Sequence, residues 1–176
     1  MPEIEVPTEF LHEQLHHEAH TKGGWQTIVA LTAALLAVLA AITSLLAGDY
    51  ANEAMIDQIK ASNQWAYYQA KSIKSTVVES RIELMQEMGK QPYAKDIEKV
   101  EKYKAEQKEI FEQATETEAA SAKYLAMHNR LARAVTAFQI AIAICAISAL
   151  VMRKWLWYSS IGLGIAGVIL FVVSFI

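Results

Sequence analysis

Cysteine is almost missing from this sequence. Among its 176 residues only Cys145 occurs, so an intramolecular disulfide and a cysteine-ligated zinc site are both excluded. Cys145 sits inside an apolar block, where a buried, inert thiol is expected. Proline is nearly as scarce, at positions 2, 7 and 92 only. Between Asp49 and Ala132 one strong break remains, Gly89-Lys90-Gln91-Pro92. An excess of positive charge is also lacking: the formal net charge is -3, and no basic patch is interleaved with aromatics. Nothing therefore points to nucleic acid. A Walker loop, a nucleophile elbow and a Ser/His/Asp arrangement are absent as well. No catalytic residue and no cofactor is assigned, and an enzyme is not expected.

Apolar residues are plentiful, at 53% of the chain, and they gather in three blocks. Trp25 to Ala47 reads WQTIVALTAALLAVLAAITSLLA and carries no charge. A membrane span needs about 20 apolar residues, and this run suffices. It is too long for the h-region of a signal peptide, and the segment before it is acidic, so a retained span is expected. The second block is Arg133 to Val151, with Gln139 as its one strongly polar group. An amide at that depth should face another helix rather than lipid. The third block, Trp155 to Ile176, opens with Trp155, Trp157 and Tyr158 beside Arg153 and Lys154, the composition of an interfacial belt. Only Met152, Arg153 and Lys154 separate blocks two and three, which makes them antiparallel neighbours.

Gly162, Gly164 and Gly167 spell G-x-G-x-x-G. The dinucleotide-binding reading needs a strand before the glycines and a helix after them. Inside a span they serve instead as small-xxx-small pairs, Ser160 with Gly164 and Gly162 with Ala166, that let helices approach closely.

Between the first two spans the break at Gly89 to Pro92 has glycine ending one helix and proline opening the next. The arms on either side are equal in length, so the chain returns to the membrane it left. Each arm is roughly 60 Å long at helical rise. In the first arm Ile56, Ile59, Asn63, Ala66, Ala70, Ile73, Val77, Ser80 and Leu84 alternate steps of three and four. That predicts a heptad seam with Asn63 and Ser80 as polar layers. In the second arm a row through Ile97, Val100, Lys104, Gln107, Phe111, Ala114, Glu118, Ser121, Leu125 and His128 competes with one through Tyr103, Ile110, Ala114, Tyr124 and Leu131. Folding about the turn pairs Phe111 with Ala70, Leu125 with Ile56 and Ile97 with Leu84. Trp65, Tyr67 and Tyr68 lie too far from the spans for a membrane belt, and Trp65 and Tyr68 point away from the seam. Subunit contact is their expected role. His128 falls on the seam near Asn52 and Glu53, as a polar layer or at the mouth of a pore.

The N-terminal stretch HEQLHHEAH raises a metal question. His12, His16 and His20 stand at steps of four, and His12-Glu13-Gln14-Leu15-His16 fits the zinc-peptidase pattern H-E-x-x-H. A peptidase also needs a third ligand and a cleft set by a folded domain. A tail of about two dozen residues supplies neither, so an amphipathic tail is expected, with metal binding as the alternative.

Asn52-Glu53-Ala54 followed by QWAYYQAKSIK (Gln64 to Lys74) resembles the bacterial membrane proteins catalogued as domain of unknown function four-three-three-seven. The His/Glu-rich tail, the alanine-rich first span, His128-Asn129-Arg130 and the Arg153 to Tyr158 turn are similar as well. The sequence departs from that pattern at Asn129-Arg130-Leu131. The resemblance implies three spans and a helical hairpin, and it carries no activity.

The expected architecture is an all-α membrane protein with three transmembrane helices and a long antiparallel, coiled-coil-like hairpin between spans one and two. The parts are a tail over 1–24, spans over 25–48, 133–152 and 155–176, and a hairpin over 49–132 turning at 89–92. Lys22, Arg153 and Lys154 lie on one side of the membrane and Lys60, Lys123, Arg130 and Arg133 near the spans on the other; the short loop carries the cleaner signal, which favours a cytoplasmic N-terminus and an extracytoplasmic hairpin. The expected role is a homo-oligomeric scaffold of the bacterial inner membrane. Its partners are the lipid bilayer and further copies, with Trp65, Tyr67, Tyr68 and Gly164 at the contacts. The alternative is a channel or transporter component lined by Thr136, Gln139 and His128. A zinc peptidase acting through HEQLH is the remote third reading.

Overall fold

The structure, a computed structural model, describes residues 24–175. Three helices make up almost all of it: α1 Gly24–Glu87, α2 Ala94–Val151 and α3 Lys154–Val173. No strand occurs among the described residues. Each helix is long and apolar enough to cross a membrane. Span one and the first arm are one unbroken 64-residue helix, and the second arm and span two are one of 58 residues. The chain is therefore all-α, and two of its helices are far longer than a bilayer requires.

Two compact units divide the chain, one holding the described residues up to Tyr50 and from Ala126 onward, the other Ala51–Leu125. The first contains the apolar spans. Its buried positions on α1 are Val29, Ala33, Leu36, Ala40, Thr43 and Ala47, again at steps of three and four. On α3 they are Ser160, Gly164 and Gly167. Small residues dominate because lipid is as apolar as leucine, so close packing rather than escape from water must hold spans together. Phe138 fills the space the small residues leave, in a cluster with Leu36, Ala40, Ala134 and Ala141. Cys145 lies in a second cluster with Val29, Ala33 and Ala149, and its thiol points at the Val29 carbonyl at 3.4 Å. The Ser160 hydroxyl donates to the Ala141 carbonyl at 2.8 Å, and Trp157 Nε1 to Thr32 Oγ1 at 3.3 Å. The pair Ser160/Gly164 is thus at a packed face, whereas Gly162 is exposed.

The second unit is an antiparallel hairpin. Its turn follows from hydrogen bonding at the end of α1: Gly89 N–H donates to the Gln86 carbonyl and Lys90 N–H to the Met85 carbonyl, each at 2.9 Å. Gly89 has φ 71°. This is a Schellman end, whose left-handed residue favours glycine. A methyl group at Gly89 would meet open space. Gly89→Ala should therefore cost only the backbone strain, about 1–2 kcal/mol. Thermal unfolding followed by helix ellipticity in detergent should report a correspondingly lower Tm and an unchanged helix content.

Candidate functional site

The hairpin carries most of the charge of the chain. The arms meet along Ala54, Ala61, Tyr68, Lys71 and Ser75 of α1, and along Val100, Tyr103, Ile110, Ala114 and Ser121 of α2. Both rows step by three, four or seven, so the hairpin is a two-stranded seam of heptad type. It is an unusually polar one. Near the turn, Arg81 pairs with Asp96, whose side chain is 2% exposed. Lys104 pairs with Glu79 at 2.7 Å. In mid-hairpin Lys71 pairs with Glu106, and its ammonium lies 5.2 Å from the Tyr67 ring centre and 5.3 Å from that of Tyr103. Ring faces attract a cation that is partly withdrawn from water. Glu106, and after it Tyr67, push the Lys71 ammonium above its usual range, and Lys71 holds the Glu106 carboxyl below its own. Ser121 Oγ donates to the Ala54 carbonyl at 2.7 Å.

Trp65 belongs to this seam. Its ring stands edge-on to Phe111 at 5.4 Å and to Tyr68 at 5.8 Å, and its Nε1 donates to Glu118 at 3.2 Å. Each edge-to-face pair is worth about 0.5–1.5 kcal/mol beyond its buried area. The expectation that Trp65 and Tyr68 point away from the sister arm is thereby corrected: both pack within the chain. Phe111 meets these two rings instead of Ala70. Tyr67 remains half exposed beside Lys71.

Asn63 also needs correction. It is exposed, not a polar layer between the arms, and Ile56, Ile59, Ile73, Val77 and Leu84 of the same row are exposed with it. The greasier row of the first arm thus faces away from the second arm. In the second arm the row of Tyr103, Ile110, Ala114 and Tyr124 is the packed one, while Ile97, Phe111 and Leu125 are about half exposed.

In the span-containing unit, His128 Nδ1 lies 2.8 Å from the Ala47 carbonyl. A carbonyl can only accept, so Nδ1 carries the proton and the ring ties α1 to α2. Gly164 is buried against Leu36 inside the chain, so its close approach is intramolecular. Gln139 and Thr136 are exposed on α2, and the Thr136 hydroxyl donates to the Ala132 carbonyl of its own helix at 2.9 Å. His12, His16 and His20 lie outside the described residues. Among the described residues no group of three or more His, Cys, Asp or Glu is placed to hold a metal ion.

Arg81, Asp96, Lys71 and Glu106 are the residues that sequence periodicity missed. A signal for them exists: these opposite charges stand nearly equidistant from Gly89 along the two arms.

The family model described as domain of unknown function (DUF4337) matches residues 25–176. The chain belongs to that family. No curated protein and no solved structure matches it. The family description names a domain and no reaction.

Proposed function

We propose that the chain is a non-enzymatic, multi-pass protein of the bacterial inner membrane that acts as a homo-oligomeric scaffold, with the hairpin as its contact element. The observation that supports this is the exposed apolar row of the hairpin's first arm. Ile73 and Val77 are each 64% exposed and Ile59 is 55% exposed, on a unit otherwise rich in charge. Contiguous apolar surface outside a bilayer marks an interaction site. Exposure of Gln139 within a span adds to the case, since an amide at that depth is best placed against another helix.

Two copies carrying different tags, co-expressed at low level, should co-purify from native membranes extracted into polymer nanodiscs. Recovery of each tagged copy without the other, at every extraction ratio, would remove the scaffold reading. A channel reading instead sets Gln139 around a shared axis. It predicts ion flux in liposomes that is lost in Gln139→Leu, whereas the scaffold predicts no flux in either protein.

A further inference from the structure

The exposed row is also specific about its occupant. Numbering heptads from Ile56 as position a places Asn63, Ala70, Val77 and Leu84 at a, and Ile59, Ala66, Ile73 and Ser80 at d. All of these are exposed on one face of α1, remote from the seam with α2. We infer that this a/d row is the contact by which two copies of the chain join in parallel and in register, with Asn63 facing Asn63 of the second copy. The inference rests on the scaffold reading and names its surface and geometry.

Three observations carry it. The first is composition at the row. A single asparagine at an a position among aliphatic neighbours pairs with itself in a parallel dimer, and there it sets register and strand number at some cost in stability. In an antiparallel pair the same amide is set among aliphatic side chains without its like.

Charge beside the row is the second. The flanking e positions hold Lys60, Tyr67, Lys74 and Arg81; the g positions hold Met55, Ser62, Gln69, Thr76 and Glu83. A parallel pair sets g against e, so Gln69 lies by Lys74 and Thr76 by Arg81, and no like charges meet. An antiparallel pair sets e against e, which brings Lys74 toward the e-position cations of the second copy, while Lys60 and Arg81 also hold Asp57 and Asp96 of their own chain. Like-charge juxtaposition of that kind suppresses the wrong partner.

The third observation is the spans. Copies inserted in one membrane with one topology enter the first arm from the same side, so their first arms start together. A twofold axis along the membrane normal then repeats one patch on both copies, which a self-complementary row satisfies.

Disulfide formation in native membranes tests this with the full chain. Native Cys145 is 0% exposed and serves as the background. Asn63→Cys and Val77→Cys, each oxidised with copper–phenanthroline, should give covalent dimers severalfold above Glu112→Cys on the second arm. When differently tagged Asn63→Cys and Val77→Cys chains are co-expressed, the mixed dimer should stay at background. A dominant mixed dimer would overturn the parallel register. Background cross-linking at both positions, while tagged copies still co-purify, would overturn this surface and leave the scaffold standing. Failure of co-purification removes both. Cross-links to a protein of another mass would also overturn the inference. Asn63→Val supplies a second readout by native mass spectrometry: the dimer should give way to a mixture of states, and an unchanged single dimer would count against the register role of Asn63.

Discussion

Placing a methyl group on Gly167 is expected to disturb the spans far more than placing one on Gly164, although both glycines are buried on the same face of α3. An added Cβ at Gly167 would lie 2.8 Å from Cδ1 and from Cε1 of Phe138. Those atoms belong to a flat ring that is 1% exposed and enclosed by its cluster, so the ring cannot turn aside. At Gly164 the close atom is the tip of Leu36, with Cδ2 at 2.7 Å and its other carbons at 3.8 Å. A leucine tip can change rotamer. Overpacking a tight core costs about 1–3 kcal/mol, and Gly167→Ala should lie in the upper part of that range while Gly164→Ala lies near its floor. Phe138→Ala, made alone, leaves a cavity. Because lipid replaces water as the reference, only the packing part of the usual Phe→Ala loss remains, on the order of 2 kcal/mol. The decisive measurement is the pair. Phe138→Leu combined with Gly167→Ala should recover most of the stability lost by Gly167→Ala, read as the midpoint of unfolding on titration from mild detergent into dodecyl sulfate. Additive losses in the double variant would mean that the two sites do not touch in the folded protein.

Much of this packing could be read from the sequence, and the reasons it could be read are physical. A span announces itself by length and apolarity, and the turn by Gly89 and Pro92. Small residues at Ser160 and Gly164 declared a packed face because nothing else suits close helix contact in lipid. The hairpin seam was not legible in the same way. Hydrophobicity along the first arm favours the row of Ile56, Ile73 and Val77, yet the sister arm packs on Ala61, Tyr68, Lys71 and Ser75. A seam of that composition looks solvated until its partners are known. Lys71 is 13% exposed only because Glu106 and two tyrosine rings surround it. Reading it would have required matching charges across the turn, since periodicity scores each arm alone. Trp65 shows the same effect: its ring meets Phe111, five residues before the position that equal arm lengths set opposite it. The aliphatic row outside the seam is the surface on which the proposed contact between copies rests.

Removing Arg81 should reverse the acid response of the hairpin. Arg81, helped by Lys99 and Lys95, holds the Asp96 carboxyl below the usual aspartate range against the opposing effect of burial. Asp96 sits in the first turn of α2, where the helix dipole also favours an anion. The sign follows from linkage. A carboxyl with a depressed folded pKa contributes stability that is complete above its unfolded value of about 3.9, and that stability fades as pH falls through the lower folded value. The native protein should therefore keep its Tm from pH 7 to about 5 and lose it only in stronger acid. In Arg81→Ala the carboxylate, with Oδ2 already lacking a partner, loses its main counter-charge. Breaking a shielded pair from one side leaves an uncompensated charge, which is worse than having no charges at all. That variant should be clearly destabilised at pH 7, by several degrees in Tm. It should gain Tm as the pH is lowered toward 5, because protonation relieves the stranded charge. Asp96→Asn added to Arg81→Ala should abolish that gain and raise the Tm at pH 7. A surface pair of no consequence behaves otherwise: both single variants would follow the native curve across the whole range. That result would mean Asp96 is solvated in the folded hairpin, and the polar seam would have to be redrawn from the turn outward.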